Sequence, residues 1–314
     1  VVKYGLEFGA DMVWCTLQGQ TMIRLAAPVA ERLGVSLRTL VWDPVEWWLR
    51  DKQLDRFTRK SVRADFDKVQ NASEACAAAS WAMAELYAAS YGNRNVPVIS
   101  SRDKAWAVTA GEKLHCEDEL VIGFVGQQYV EWEWGNLILT LQKANWRIEG
   151  RKVRIRMLGR SAFAYASGPA NFEYLGWHDQ AETIRLMSEA DILYCPYWSD
   201  PAFELEARLS FPSKLVTYLA AGRAVFFHGP EYASPSRFLA ENDAALQCHT
   251  LDNANIYNDL ARLVIDQQLY KNLCTNARRT FDTYFTLEMM RKSFAEFLGV
   301  DENELLPVKS QGSQ

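Results

Sequence analysis

The chain has 314 residues, enough for about two domains that each bury a core of their own. Apolar residues make up 49% and charged residues 23%, and 11 Trp, 13 Tyr and 15 Phe exclude a largely disordered polymer. A net charge of −5 excludes the global positive field that would gather nucleic acid or anionic lipid, so nucleic acid is not an expected partner.

The six cysteines (Cys15, Cys76, Cys116, Cys195, Cys248, Cys274) are scattered without a C-x-x-C pair, which argues against zinc and disulfide frameworks. No apolar run approaches the length of a membrane span, and the first residues show neither the basic nor the continuous apolar region of a secretory signal. A cytoplasmic protein is the expectation.

Short β-rich runs alternate with longer segments of helical apolar spacing, the pattern of an α/β protein with parallel sheets. The first half predicts a strand at 12–16, a helix at 20–33 and a strand at 37–42. One long amphipathic helix follows over 45–68, then a buried strand at 75–80, a helix to Tyr91 and a strand at 96–99. The polar stretch 100–119, rich in breakers, reads as a linker. The alternation then restarts with a strand at 120–125 ending in Gly126, a helix at 134–144 and a strand at 153–158 ending in Gly159. Strands at 172–175 and 192–194 flank a helix at 181–188. A polar loop leads to a helix over 212–221, closed by Gly222, and to a strand at 224–227. Helices at 254–263, 267–284 and 287–298 complete the pattern. Two Rossmann-like, doubly wound lobes in series are therefore expected, with ligands bound in the cleft at the carboxyl ends of their strands.

The stretch from Phe203 to Pro230, FELEARLSFPSKLVTYLAAGRAVFFHGP, carries the most chemistry. Ser210 or Phe211 precedes its helix, Pro212 suits the first turn, and the amides of Ser213 and Lys214 have no intrahelical acceptor. The helix dipole adds partial positive charge and Lys214 a full one, so this end suits a phosphate group. An ordinary capped helix end that meets only water is the alternative.

The run S-F-P-S-K-L-V-T-Y-L-A-A-G-R-A-V-F resembles the donor-binding helix of retaining GT-B glycosyltransferases of the family 4 type (glycosyl transferases group 1). IGFVG at 122–126 resembles the first strand and glycine turn of their C-terminal lobe, and VRIRMLGR at 153–160 resembles the second strand. The resemblance covers Leu120 to about Gly299 well and the first hundred residues only in outline. It implies a first, acceptor-side lobe at 1–117, a donor-side lobe at 118–284, a helix at 285–300 that packs back on the first lobe, and a polar tail at 301–314. It also implies a first lobe whose sheet starts late: either the chain is truncated, or its first strands come from a second chain, or the acceptor lobe is reduced.

By the same resemblance, a nucleotide diphosphate sugar is the co-substrate, with no cofactor and no metal. Its diphosphate lies against Pro212, Ser213 and Lys214, with Ser210 and Phe211 just before them. Gly126 and Gln127 lie beside the phosphates or sugar, Arg160 is a second cation, and the base packs near Trp177 and His178. Thr217 stands at the ribose-binding position where many members carry the second glutamate of an E-x7-E pair, and Leu209 stands at the first. Glu204 and Glu206, in the loop upstream, are candidates to supply the missing carboxylate, Glu206 as a catalytic group with Lys214 and Arg160. Asp43 and Trp132 are the acceptor-side candidates. The implied activity is transfer of a hexosyl group to a carbohydrate or lipid-linked acceptor, for which peripheral contact at the inner face of the membrane stays open. A catalytically silent scaffold that binds a nucleotide sugar or a protein partner is the alternative.

Other motifs weigh less. Asp65-Phe66-Asp67 spells D-x-D inside an amphipathic helix, where side chains two apart diverge by about 200° and cannot chelate one ion. The four histidines show no metal-ligand spacing, and His228 either reaches the donor or, more commonly for such a position, is a turn residue with a structural hydrogen bond. Asp43 equally suits an Asx turn before Pro44. Trp134 caps a helix or shares an acceptor surface with Trp132, and Trp47 and Trp48 read as core or as a docking face.

Overall fold

The structure, a computed structural model, describes residues 1–160 and 171–305. The chain forms two compact units. One comprises Val1–Ser100 with Leu209–Phe211 and the chain from Glu288 on; the other comprises Ser101–Arg208 and Pro212–Leu287.

The first unit runs α1 (Val2–Phe8), β1 (Met12–Thr16), α2 (Gln20–Leu33), β2 (Ser36–Val41), α3 (Val45–Asp51), α4 (Arg56–Ala72), β3 (Ala75–Ala78), α5 (Trp81–Tyr91) and β4 (Arg94–Pro97). Its strands are parallel in the order β1-β2-β3-β4. Helices between parallel neighbours cover the sheet, so β3 is buried at every residue and β2 at all but its first.

Three sequence boundaries are corrected here. The helix expected over 45–68 is two helices, because the chain breaks after Asp51, Gln53 adopts φ 47° and Asp55 caps α4 by accepting from the amides of Phe57 and Thr58. Apolar periodicity runs through the break, since Leu49, Val62, Phe66 and Val69 all enter one core. The strand expected at 75–80 ends at Ala78, because Ser80 turns to cap α5 through the Met83 amide at 2.9 Å. The strand expected at 96–99 starts instead at Arg94, because pairing with the four-residue β3 fixes its limits, and an edge strand tolerates polar residues and proline. Ser80 is fully buried, and its hydroxyl also donates to the Leu209 carbonyl. Ser80→Ala is therefore expected to lower the unfolding free energy of this unit by about 1–2 kcal/mol in urea titrations.

The second unit runs β5 (Glu119–Val125), α6 (Glu131–Lys143), β6 (Arg147–Ile148), β7 (Arg151–Leu158), β8 (Phe172–Gly176), α7 (Gln180–Ser188), β9 (Ile192–Pro196), α8 (Glu204–Leu209, whose last residue belongs to the first unit), α9 (Ser213–Ala221), β10 (Ala224–His228), α10 (Ser234–Glu241), β11 (Leu246–Cys248), α11 (Asn253–Ile265) and α12 (Gln267–Tyr284). Six parallel strands take the order β8-β7-β5-β9-β10-β11, and β6 adds an antiparallel pair at the start of β7. This is the doubly wound order, whose winding reverses between β5 and β9, so ligands are expected outside the carboxyl ends of those two strands. The core behind them is aromatic: the Trp134 ring meets Phe124 at 4.9 Å and Tyr194 at 4.8 Å.

Residues 101–118, read as a linker, pack within this unit. The Val108 amide donates to the Ala220 carbonyl at 2.9 Å and the Gly111 amide to the Gly222 carbonyl at 2.8 Å, pairings that a polar composition conceals. Sequence reading gave no element for α1, β6, α8, α10 or β11, all short. The last helix, α13 (Leu287–Leu298), belongs to the first unit from Glu288 on. Phe297 is buried against Leu40, Ala75, Ala77, Val96 and Val98, and its carbonyl accepts from Arg38 and Arg94. Of the polar tail at 301–314, residues 306–314 lie outside the described residues. Among the described residues no helix is long and apolar enough to cross a membrane.

Candidate anion site at the start of α9

β5 ends at Gly126, whose φ of 103° is open to glycine and strained for other residues. The Gly126 amide donates to the Leu158 carbonyl at 2.9 Å, and a Cβ on Gly159 would stand 2.9 Å from the Gly126 carbonyl oxygen. The two strand ends therefore meet backbone to backbone. The Tyr218 hydroxyl, from α9, accepts from the Val125 amide at 3.0 Å and ties that helix to the end of β5. The first turn of α9 thus lies beside the glycine turn: a Cβ on Gly126 would be 3.8 Å from Lys214 Cε.

Among the described residues α9 receives no side-chain cap, as is also true of α1, α2, α3, α6 and α10, whereas Asp55, Ser80, Asp179, Asp252 and Asp266 cap α4, α5, α7, α11 and α12. Pro212 is its cap residue, with φ −76° and ψ 120°, so the helix starts at Ser213, one residue later than expected. The amides of Ser213 and Lys214 precede the first intrahelical hydrogen bond and remain available to a ligand.

Lys214 turns its ammonium inward. Nζ is enclosed, has no hydrogen-bond acceptor among the described residues, and lies over the rings of Phe124 at 4.3 Å and Tyr129 at 4.4 Å. Burial pulls its pKa down to about 8. The neighbouring Cys195 thiol is pushed up to about 12 by burial and stays neutral, so it offers no counter-charge. An enclosed cation without an anion is costly, and a catalytic role or an ion that supplies the missing charge are among the reasons for retaining one.

The other sequence candidates fall in several places. Glu204 and Glu206, read as loop residues, stand on α8, because the 3-10 turn at Pro201–Phe203 continues directly into a helix. Glu206 is fully buried, while Glu204 pairs with Arg208 at 2.8 Å. Thr217 is buried and its hydroxyl accepts from Arg102 Nη2 at 3.4 Å. Arg160 and Gln127 are exposed, and the next side chain, Gln128, buries an amide nitrogen without a partner among the described residues. Trp177 is exposed, and the His178 ring bonds the Leu175 carbonyl at 2.9 Å. Ser210 and Phe211 belong to the first unit, where the Phe211 ring meets Trp81 edge-on at 5.5 Å. Asp43 also lies in that unit, at the surface, beside a small hollow shared with Gly19, Trp42 and Trp48. Trp132 is exposed on α6, and Trp134 is core.

The pair Asp65 and Asp67 diverges: Asp65 meets Arg24 at 3.1 Å, and Asp67 accepts from the Tyr91 hydroxyl at 2.7 Å. His228 is buried, with Nδ1 2.8 Å from the Tyr194 hydroxyl and Nε2 2.8 Å from the Thr250 carbonyl. Sequence reading missed the two rings against Lys214. Phe124 is one more apolar residue in a buried strand, and Tyr129 lies in a loop that carries no motif.

No protein-family model matches the sequence, and no curated protein does. Solved structures match nearly its whole length. Anabaena Alr3699/HepE in complex with UDP covers 95% of this chain and 80% of its own at 14% identity and a TM-score of 0.68. Sucrose-phosphate synthase from Thermosynechococcus elongatus covers 95% and 75% at 11% identity and a TM-score of 0.67. A UDP-forming α,α-trehalose-phosphate synthase from Burkholderia vietnamiensis covers 92% and 74% at 13% identity and a TM-score of 0.62. The chain has the GT-B fold. Within the GT-B fold, the second unit's strand order and its glycine turn at Gly126 set the stage on which Lys214 stands.

Proposed function

We propose that this chain is a glycosyltransferase that moves a sugar from a nucleotide diphosphate donor to a carbohydrate or lipid-linked acceptor, with retention at the anomeric carbon and without a metal. The observation that carries the reading is the enclosed ammonium of Lys214, which has no hydrogen-bond acceptor among the described residues, at the start of α9. That the similar structures include complexes with UDP and UDP-glucose supports it.

As the sugar C1–O bond breaks, its electron pair passes to the diphosphate, C1 gains oxocarbenium character, and the acceptor hydroxyl oxygen takes C1 while its proton leaves with the phosphate. The protein's task is then to receive developing negative charge. Lys214 and the amides of Ser213 and Lys214 do this with groups already in place, in surroundings where water does not screen them. Arg160 is the proposed second cation, and Glu206 the proposed carboxylate of the sugar site.

A panel of uridine, adenosine, guanosine and thymidine diphosphate sugars, with and without simple glycosides as acceptors, tests this by release of nucleoside diphosphate. Acceptor-stimulated release from one donor class is the expected result. Binding without release under any condition would instead fit the catalytically silent scaffold.

A further inference from the structure

Lys214 meets aromatic faces from two different segments, Phe124 on β5 and Tyr129 in the loop before α6. Both rings are braced from behind. Trp134 stands edge-on to Phe124 at 4.9 Å; Trp198 lies 4.8 Å from Tyr129 and is itself stacked on Phe203 at 5.8 Å. A ring face carries partial negative charge, and two faces within about 6 Å of an ammonium replace part of the hydration it has lost.

We propose that these rings are a seat for the Lys214 ammonium before the diphosphate arrives, and that Tyr129 is a positioning residue that keeps this side chain charged and in place. Phe124 is part of the strand core, so its loss would damage the fold; Tyr129 sits in a loop, where a change in side chain reads out on Lys214 itself.

Among the described residues, Tyr129 lies under the Lys214 ammonium and the Cys195 thiol on β9 interacts with it electrostatically, while Tyr218, one turn along α9, interacts in turn with Cys195 and Tyr129. Burial pushes the thiol and both phenols up, so all three are neutral around pH 7. Loss of the ring therefore shows directly as easier deprotonation of the lysine. The proposal rests on the donor-site reading for its ligand, but the seat itself can be read without any ligand.

The test uses the full chain, unaltered and as Tyr129→Phe and Tyr129→Leu. NMR of isotope-labelled lysine follows the Lys214 titration in the free protein, and calorimetry follows UDP binding at about pH 6.5 and about pH 8.5. Tyr129→Phe is expected to titrate like the unaltered chain. Tyr129→Leu is expected to titrate about one pH unit lower and to bind UDP about eightfold more weakly at the higher pH, with less than about 1.5-fold loss at the lower. An unchanged midpoint in Tyr129→Leu, equal loss at both pH values, or failure of phenylalanine to restore the behaviour would overturn it. A lowered midpoint in a protein that binds no UDP would uphold the seat and refute the donor-site reading.

Discussion

Replacing Lys214 by methionine is expected to cut turnover with a nucleotide-sugar donor by about 10²–10³ while making the second unit more stable. The first effect follows from removing one preorganised charge at the leaving group, which costs about 2.7–4 kcal/mol in sites of this kind. The second follows from the same burial that makes the charge effective. The pKa of Lys214 falls from 10.5 to about 8, so folding disfavours its charged form by about 3 kcal/mol, and an apolar chain of similar volume escapes most of that cost. A gain of about 1–3 kcal/mol is expected below pH 8, where the lysine is charged in both states. It should fade as pH rises towards 10.5, because in that interval only the unfolded chain holds the proton. Steady-state kinetics and urea unfolding of the same preparation check both halves. A variant that is slower and also less stable would mean that Lys214 serves the fold.

Acid is expected to weaken the second unit through His228. Its ring is buried between Tyr194 and Thr250, and burial pulls its pKa down from 6.5 to about 4. The neutral ring donates from Nε2 to the Thr250 carbonyl and accepts from the Tyr194 hydroxyl at Nδ1; a second proton would place a charge on a ring that burial keeps from water. The folded pKa lies below the unfolded one, so the contribution is complete above about pH 6.5 and is lost as pH falls towards 4. The loss amounts to about 3 kcal/mol, and it is flat at lower pH. Urea titrations from pH 7 to pH 4 should show a steeper decline for the unaltered protein than for His228→Gln, which cannot take up that proton. Parallel curves would refute the assignment.

Much of the fold was legible because parallel sheets write themselves as buried β-branched runs between amphipathic helices. The strand over Met12–Thr16 and the helices over Gln20–Leu33, Gln267–Tyr284 and Leu287–Leu298 lie where the apolar spacing puts them. The spacing fails where one core face runs on through a change of backbone. Val45–Asp51 and Arg56–Ala72 feed the same core, and only the cap at Asp55 marks the break. It fails again for the short β11 and α8, which offer too few residues for any period to show. Of the candidate site, the places of Gly126, Pro212, Ser213 and Lys214 at a strand end and a helix start were legible, since a glycine after a strand and a proline–lysine pair at a helix start have local physical reasons. The seat under Lys214 was not, because Phe124 and Tyr129 come together with it only through the packing of β5 and α9.

A crystal structure of the protein with UDP bears most directly on the central claim. The expected result is a phosphate oxygen about 3 Å from Lys214 Nζ, with a second phosphate contact to the amide of Ser213 or Lys214. UDP bound elsewhere, with the ammonium still over the two rings and the start of α9 free of phosphate, would contradict it.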